Sequence, residues 1–211
     1  METEPFAGDP SGPVRPDHRI IFEMIDPGSK VLDLGCGNGD LGSLLVERKN
    51  VRFQGIELDE DAIYRCVGKG LSVFQGDIES GLAEYPGGSF DFVIMNQTLQ
   101  EVRKIDFAIR EGLRVGRRLV IGFPNFACLP CRVMLFFRGK APVTASLPHR
   151  WFDTPNVRFL SIGDMRDFCA AGGIRVLGAR YLDGGKEIRR WPNLRAQNAV
   201  FVLAAEEKNT R

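Results

Sequence analysis

The chain carries no excess of either charge: 28 Lys and Arg residues face 27 Asp and Glu, a net +1. No global field therefore favours a polyanion, and nucleic acid and membrane surfaces are set aside as partners. No run approaches the ~20 apolar residues of a membrane span. Met1-Glu2-Thr3-Glu4-Pro5 lacks the apolar core of a signal peptide, so the expectation is a chain that stays in the cytoplasm. Cysteine is sparse and odd in number, five in all, which argues against a disulfide framework and for reduced thiols. There is no internal repeat and no low-complexity tract. What remains is 211 residues, 44% of them hydrophobic, enough for one domain with a full core and some decoration.

Residues 1–16 hold four prolines and two glycines and few apolar side chains, so they read as a loose arm. Order is expected from Asp17, with a helix over 18–25 that Asp26-Pro27-Gly28-Ser29 stops. Strand patterns follow at 30–34, 51–57, 71–75, 90–95 and 118–123, most of them separated by helical stretches. Asp59 reads as the N-cap of the helix to Val67, and Gly116 as the C-cap of the helix over 106–115. Short apolar strands alternating with helices call for a parallel sheet covered on both faces, a doubly wound α/β fold. The stretch 124–160 is rich in proline, has no clean period and reads as an insertion. Ser161-Ile162-Gly163-Asp164 resembles a capping box opening a helix that Gly172-Gly173 ends. Two late strands, 174–182 and 199–204, complete the domain over 17–205, leaving a tail at 206–211.

The stretch with most to say about function is Val31-Leu32-Asp33-Leu34-Gly35-Cys36-Gly37-Asn38-Gly39-Asp40. A strand runs into alternating glycines and then a helix, so main chain can approach a ligand where a side chain would collide. Glu57 ends the next strand, where a ribose-binding carboxylate belongs. A dinucleotide fold prefers Gly-x-Gly-x-x-Gly. The spacing here, with Glu57 and with Gly76-Asp77-Ile78 after strand three, resembles class I S-adenosylmethionine-dependent methyltransferases. That resemblance implies a mostly parallel seven-stranded sheet and S-adenosylmethionine as the cofactor. It places Asp33 and the Gly35, Gly37 and Gly39 backbone near the methionine end, Glu57 at the ribose hydroxyls and Asp77 at the adenine amino group. Leu58 and Ile78 would sandwich the ring, and Asn96 closes the candidate set at the end of strand four.

Further motifs narrow the resemblance. Arg15-Pro16-Asp17, Asn96-Gln97-Thr98-Leu99-Gln100, Phe123-Pro124-Asn125-Phe126, Leu147-Pro148 with Trp151, Asp153-Thr154-Pro155-Asn156 and Trp191-Pro192-Asn193-Leu194 are similar to the methionine-biosynthesis family MetW. Over about residues 15–205 the resemblance implies a methyltransferase-fold partner required by the homoserine O-acyltransferase MetX. The alternative is a methyltransferase of small molecules. The pattern departs at Ala127-Cys128-Leu129-Pro130-Cys131, where the family tends to carry Gly-His-Trp, so no role resting on that histidine is carried over. Cys128 and Cys131 form a Cys-x-x-Cys without a second ligand pair, and two small buried thiols are the reading preferred to a metal or redox site.

No catalytic residue is assigned. Methyl transfer asks mainly for alignment and exclusion of water, and the Asn/Asp-Pro-Pro-Tyr/Phe signature of many amino-directed enzymes is missing after strand four. His149 with Asp153 would be the base and partner in the insertion, against the plainer reading of a structural histidine. Trp151, Asp153 and Asn156 among prolines suggest a fixed cap above the ligand. The apolar run Val133-Met134-Leu135-Phe136-Phe137 is read as a helix buried under the insertion rather than a partner surface.

Overall fold

Apolar residues in β1 (Lys30–Leu34), β4 (Phe90–Asn96) and β5 (Gly116–Pro124) run almost unbroken, which suits strands covered on both faces. The computed structural model, which describes residues 14–206, places them at the centre of one sheet. Its order is β3-β2-β1-β4-β5-β8-β6-β7, with β2 (Arg52–Glu57), β3 (Val73–Gln75), β6 (Ile174–Asp183), β7 (Lys186–Glu187) and β8 (Asn198–Ala205). Strands β1 to β5 are parallel, and β8 runs antiparallel between β5 and β6. The sheet has eight strands where seven were expected. The extra one is β7, a two-residue edge strand folded back on β6 by the Gly184-Gly185 turn, with Gly184 at φ +56°. Residues 1–13 of the expected arm and 207–211 of the expected tail lie outside the described residues.

Helices cover both faces. On one, α1 (Pro16–Met24) and α2 (Asp40–Lys49) bury Ile20, Ile21, Leu41 and Leu45 against Val31, Phe92, Ile94 and Val200. On the other, α4 (Ile105–Val115) and α6 (Ile162–Ala171) bury Ile109, Val115, Ile162 and Met165 against Leu32, Val93, Met95, Phe123 and Phe201. The third helix, α3 (Glu60–Gly68), starts at Asp59, whose side chain accepts from the Asp61 N–H at 3.1 Å. Ser161 and Asp164 form the expected capping box in both directions. Among the described residues no helix is long and apolar enough to cross a membrane.

The stretch between β5 and α6 starts with α5 (Leu129–Val133), opened by Pro130, and a π-helical turn over Met134–Arg138 that Gly139 ends at φ +58°. Its first anchor is Asn125, fully buried. The Asn125 amide donates to the Asn193 and Ala196 carbonyls (3.1 and 2.8 Å) and accepts from the N–H groups of Ala127 and Ile162 (3.2 and 3.3 Å). A second anchor is the Gln100 carbonyl, which accepts from the N–H groups of Val157 and Arg158 at 2.9 and 3.0 Å. Cys128 and Cys131 pack under this segment with Leu147, their sulfurs 3.3 Å apart, as the buried thiols the sequence suggested. All five cysteines are free and buried.

Strand order reverses between β1 and β4. In doubly wound sheets that point leaves a crevice beyond the carboxyl ends of the strands, and the site lies there.

Candidate functional site

The crevice is a cavity of about 510 Å³, within the ~300–1,000 Å³ of small-molecule sites. Asp33, Gly35, Gly37, Glu57, Leu58, Asp77, Ile78 and Asn96 all line it. Four parallel strands deliver them: Asp33 is on β1, Glu57 closes β2, Asp77 and Ile78 follow β3, and Asn96 closes β4.

Gly39 is the exception among the sequence candidates, since it is not part of the lining. It caps α2 at φ +74°, and a Cβ there would stand 2.6 Å from Leu71 Cδ1 and 2.8 Å from Cys66 Sγ. Its glycine serves the packing of α2 on α3, away from the cavity. Gly35 and Gly37 do not act as free donors either. The Gly35 N–H goes to the Ile56 carbonyl (2.8 Å) and the Gly37 N–H to Glu57 Oε2 (2.7 Å). What they contribute is room: a Cβ on Gly35 would meet Thr98 at 2.7 Å, while that of Gly37 would point into open space.

Asp33 is the most unusual group. It is 3% exposed, and its Oδ1 is buried without a hydrogen-bond partner. Burial, with the Glu57 charge adding to it, pushes its carboxyl up to about 7. An acid held so far from its ordinary value at a crevice wall marks a place that a cation would complete. Glu57 is well supplied by comparison. Besides Gly37, it accepts from the N–H groups of Leu58 (2.8 Å) and Asp59 (3.1 Å), so it braces the glycine loop and has one lone-pair direction left of about four. Asp77 Oδ1 accepts from the Glu79 N–H at 2.8 Å.

Among the lining residues outside the sequence candidates are Arg15, His18 and Glu101. Arg15, expected in the arm, sits just before α1 and reaches the cavity, and His18 follows it one turn on. The Arg15 guanidinium donates to both Asp17 oxygens (3.1 and 2.6 Å), and Asp17 accepts from Asn96 Nδ2 at 2.8 Å, which ties the start of α1 to the end of β4. Burial alone would lift the Asp17 carboxyl, but Arg15, the Asn96 bond and His18 hold it below its ordinary value. Burial keeps His18 below the usual histidine range, so it is neutral at neutral pH. Glu101, in the 3₁₀ turn over Leu99–Glu101, is the third: desolvation at the wall, and then Glu57, raise its carboxyl, while His149 opposes them. Arg15-Pro16-Asp17 was a signal in the sequence, but as a motif without an assigned place.

The insertion does not cap this cavity. Trp151, His149 and Asn156 line a second cavity of about 270 Å³ with Phe126, Leu135 and Phe159. Asp153 is not paired with His149; its Oδ1 accepts from the Arg150 N–H at 2.6 Å and closes a turn. The run 133–137, expected to be buried, is exposed instead, with Phe136 82% accessible. Among the described residues no cluster of three or more His, Cys, Asp or Glu side chains could hold a metal ion.

This fold is that of S-adenosylmethionine-dependent methyltransferases. One such protein from Thermotoga maritima, described as a possible histamine N-methyltransferase, superposes with a TM-score of 0.64 at 17% identity, over 90% of this chain and 88% of the other. Another from Archaeoglobus fulgidus gives 0.65 at 15%, over 89% and 90%. The chain belongs to the MetW family: the family described as methionine biosynthesis protein MetW matches residues 15–203. A relative in Rhodopirellula baltica, the bifunctional methionine biosynthesis protein MetXA/MetW, is 34% identical over 205 residues, 91% of this chain. The chain spans 33% of that relative's length.

Proposed function

We propose that this chain binds S-adenosylmethionine in the 510 Å³ cavity and acts in methionine biosynthesis as the partner of a homoserine O-acyltransferase. The carrying observation for the ligand is the buried, unpartnered Asp33 Oδ1, which the ammonium of the methionine end would satisfy. Asn96 lies on the same wall and holds Asp17 through its Nδ2 at 2.8 Å, which positions Arg15 beside the cavity. Arg15, with donors to spare after its two bonds to Asp17, would meet the ligand carboxylate. The remaining lone pair of Glu57 suits one ribose hydroxyl, Leu58 and Ile78 offer apolar faces to the adenine, and Asp77 keeps an oxygen for its amino group. When bound, the sulfonium supplies an activated methyl group; this chain's residues hold and orient it and exclude water on the Asp33 side.

For the partner, the support is the relative that carries MetXA and MetW parts in one chain, which joins the two activities at high effective concentration. Free buried cysteines suit a reducing compartment, the cytoplasm, in which such a pair would work. The test is an assay of the acyltransferase from the same organism with and without this chain, repeated with added S-adenosylmethionine. Activation by the chain is the expected result. Equal activity without it overturns the partner role, and calorimetry showing no ligand binding overturns the cofactor. A second reading, methylation of a small molecule, is favoured by Glu101, a carboxyl with raised proton affinity on the cavity wall. Product formation from a labelled methyl donor, lost in Glu101→Gln, would establish it.

A further inference from the structure

The insertion exposes what a folded chain normally hides. Phe136 and Phe137 are 82% and 76% accessible and touch each other edge to face at 4.9 Å, and Trp151 and Phe152 form a similar pair at 5.7 Å. These four rings leave on the order of 500 Å² of apolar surface in water, from the ~150–250 Å² each can bury. That matches the largest patches found on monomers, which are often functional, and supplies much of the ~800 Å² one partner gives to a stable interface. Phe136 and Phe137 share the π-helical turn Met134–Arg138 with Leu135. Gly139, Lys140 and Trp151 line both the second cavity, which Leu135 also enters, and an adjoining groove that reaches Phe152.

Charge is distributed to match. From 124 to 160 the chain has Arg132, Arg138, Lys140, Arg150 and Arg158 against Asp153 alone, although the whole chain is nearly neutral. An apolar centre with a cationic rim is the layout of a protein interface whose partner offers apolar side chains within a ring of carboxylates. The surface is also set apart from the ligand cavity, since none of these four rings lines it.

We infer that the Phe136–Phe137 and Trp151–Phe152 face is the docking surface for the homoserine O-acyltransferase, which meets it with an apolar patch rimmed by acidic residues. This rests on the partner role proposed above. One relative carries both parts in one chain, and a partner seated on this face would leave the ligand cavity uncovered.

The test uses the full chain and the acyltransferase of the same organism, with affinity measured by sedimentation or surface-immobilised binding. The double variant Phe136→Ser, Phe137→Ser is expected to bind at least ~30-fold more weakly, as when central aromatic anchors are lost. Its melting temperature and S-adenosylmethionine affinity should equal those of the wild type, because the replaced rings are outside the core and the cavity. Arg138→Glu with Lys140→Glu should slow association several-fold and reduce its salt dependence. If wild type binds the acyltransferase and both variants bind it equally well, the docking surface is refuted and the partner role stands. If wild type does not bind it at all, the partner role fails and the docking surface falls with it. Two other results also overturn the assignment while acyltransferase binding is unaffected. One is a wild-type dimer that the Phe variant makes monomeric; the other is capture by anionic phosphatidylglycerol vesicles that the variant loses.

Discussion

If Asp33 holds the ligand's ammonium, ligand binding must release a proton over an unusual pH range. Burial, and then the nearby Glu57, push its carboxyl up to about 7. An ammonium binds the ionised form, so apparent affinity follows the fraction ionised. That fraction falls from ~0.9 at pH 8 to ~0.1 at pH 6, a loss of ~10-fold in affinity, with another ~10-fold by pH 5. Calorimetry at pH 6.5 in two buffers of different ionisation enthalpy should report the release of more than half a proton per ligand. Stability carries the same linkage with opposite consequence. A carboxyl raised from 3.8 stabilises the empty fold fully below the unfolded value, and that contribution is lost as pH rises through about 7. At pH 8 the buried charge therefore costs ~4 kcal/mol, and Asp33→Asn should melt higher than wild type while binding poorly and without pH dependence. A dissociation constant that stays flat from pH 6 to 8, with no proton released, refutes the assignment of Asp33 to the ammonium.

Glu57→Ala should weaken S-adenosylmethionine binding ~10-fold or more and also lower stability by ~1–3 kcal/mol, because the Gly37, Leu58 and Asp59 N–H groups lose their acceptor; calorimetry and urea melts separate the two. Gly39→Ala should cost ~1–3 kcal/mol in a urea melt through its φ of +74° and the Leu71 and Cys66 contacts, although Gly39 is not part of the cavity lining. Phe123→Ala, at a fully buried position stacked on Phe201 at 5.7 Å, should cost ~3–5 kcal/mol and lower the melting temperature by several degrees. In a Trp191→Phe protein the emission of Trp151 should be indifferent to S-adenosylmethionine, since Trp151 lines the second cavity; a ligand-dependent shift would place the insertion over the first.

The central strands were legible because their apolar residues run almost unbroken, as strands buried on both faces require. Asp33, Glu57 and Asn96 were legible for a related reason: strand ends in a parallel sheet meet at one edge, so residues far apart in sequence share a cavity by topology alone. Gly39 was misplaced because three alternating glycines look equivalent in sequence, whereas its Cβ direction faces Leu71 and Cys66 rather than the crevice. Arg15 was assigned to the arm because nothing local says that the chain before α1 crosses to β4; only the Asp17–Asn96 bond does. The run 133–137 failed for the opposite reason. Its apolar character is real, but a continuous apolar stretch is the same whether it lies under other chain or in water, and no period tells which.

Asn125 has a consequence for the order in which the molecule assembles. Its amide bonds join groups 37, 68 and 71 positions away along the chain, so they exist only once β5, the start of α6 and the segment before β8 have come together. Contacts of such long separation form late, after loop closure has been paid for by the sheet. The helical segment that begins at Leu129, four residues beyond this knot, is therefore anchored in its final form only in a chain whose last strand is in place. An unfinished chain on the ribosome, lacking the segment before β8, cannot make the bonds from Asn125 to the Asn193 and Ala196 carbonyls. Asn125→Ala should then speed unfolding while leaving the folding rate nearly unchanged, the signature of an interaction made after the transition state.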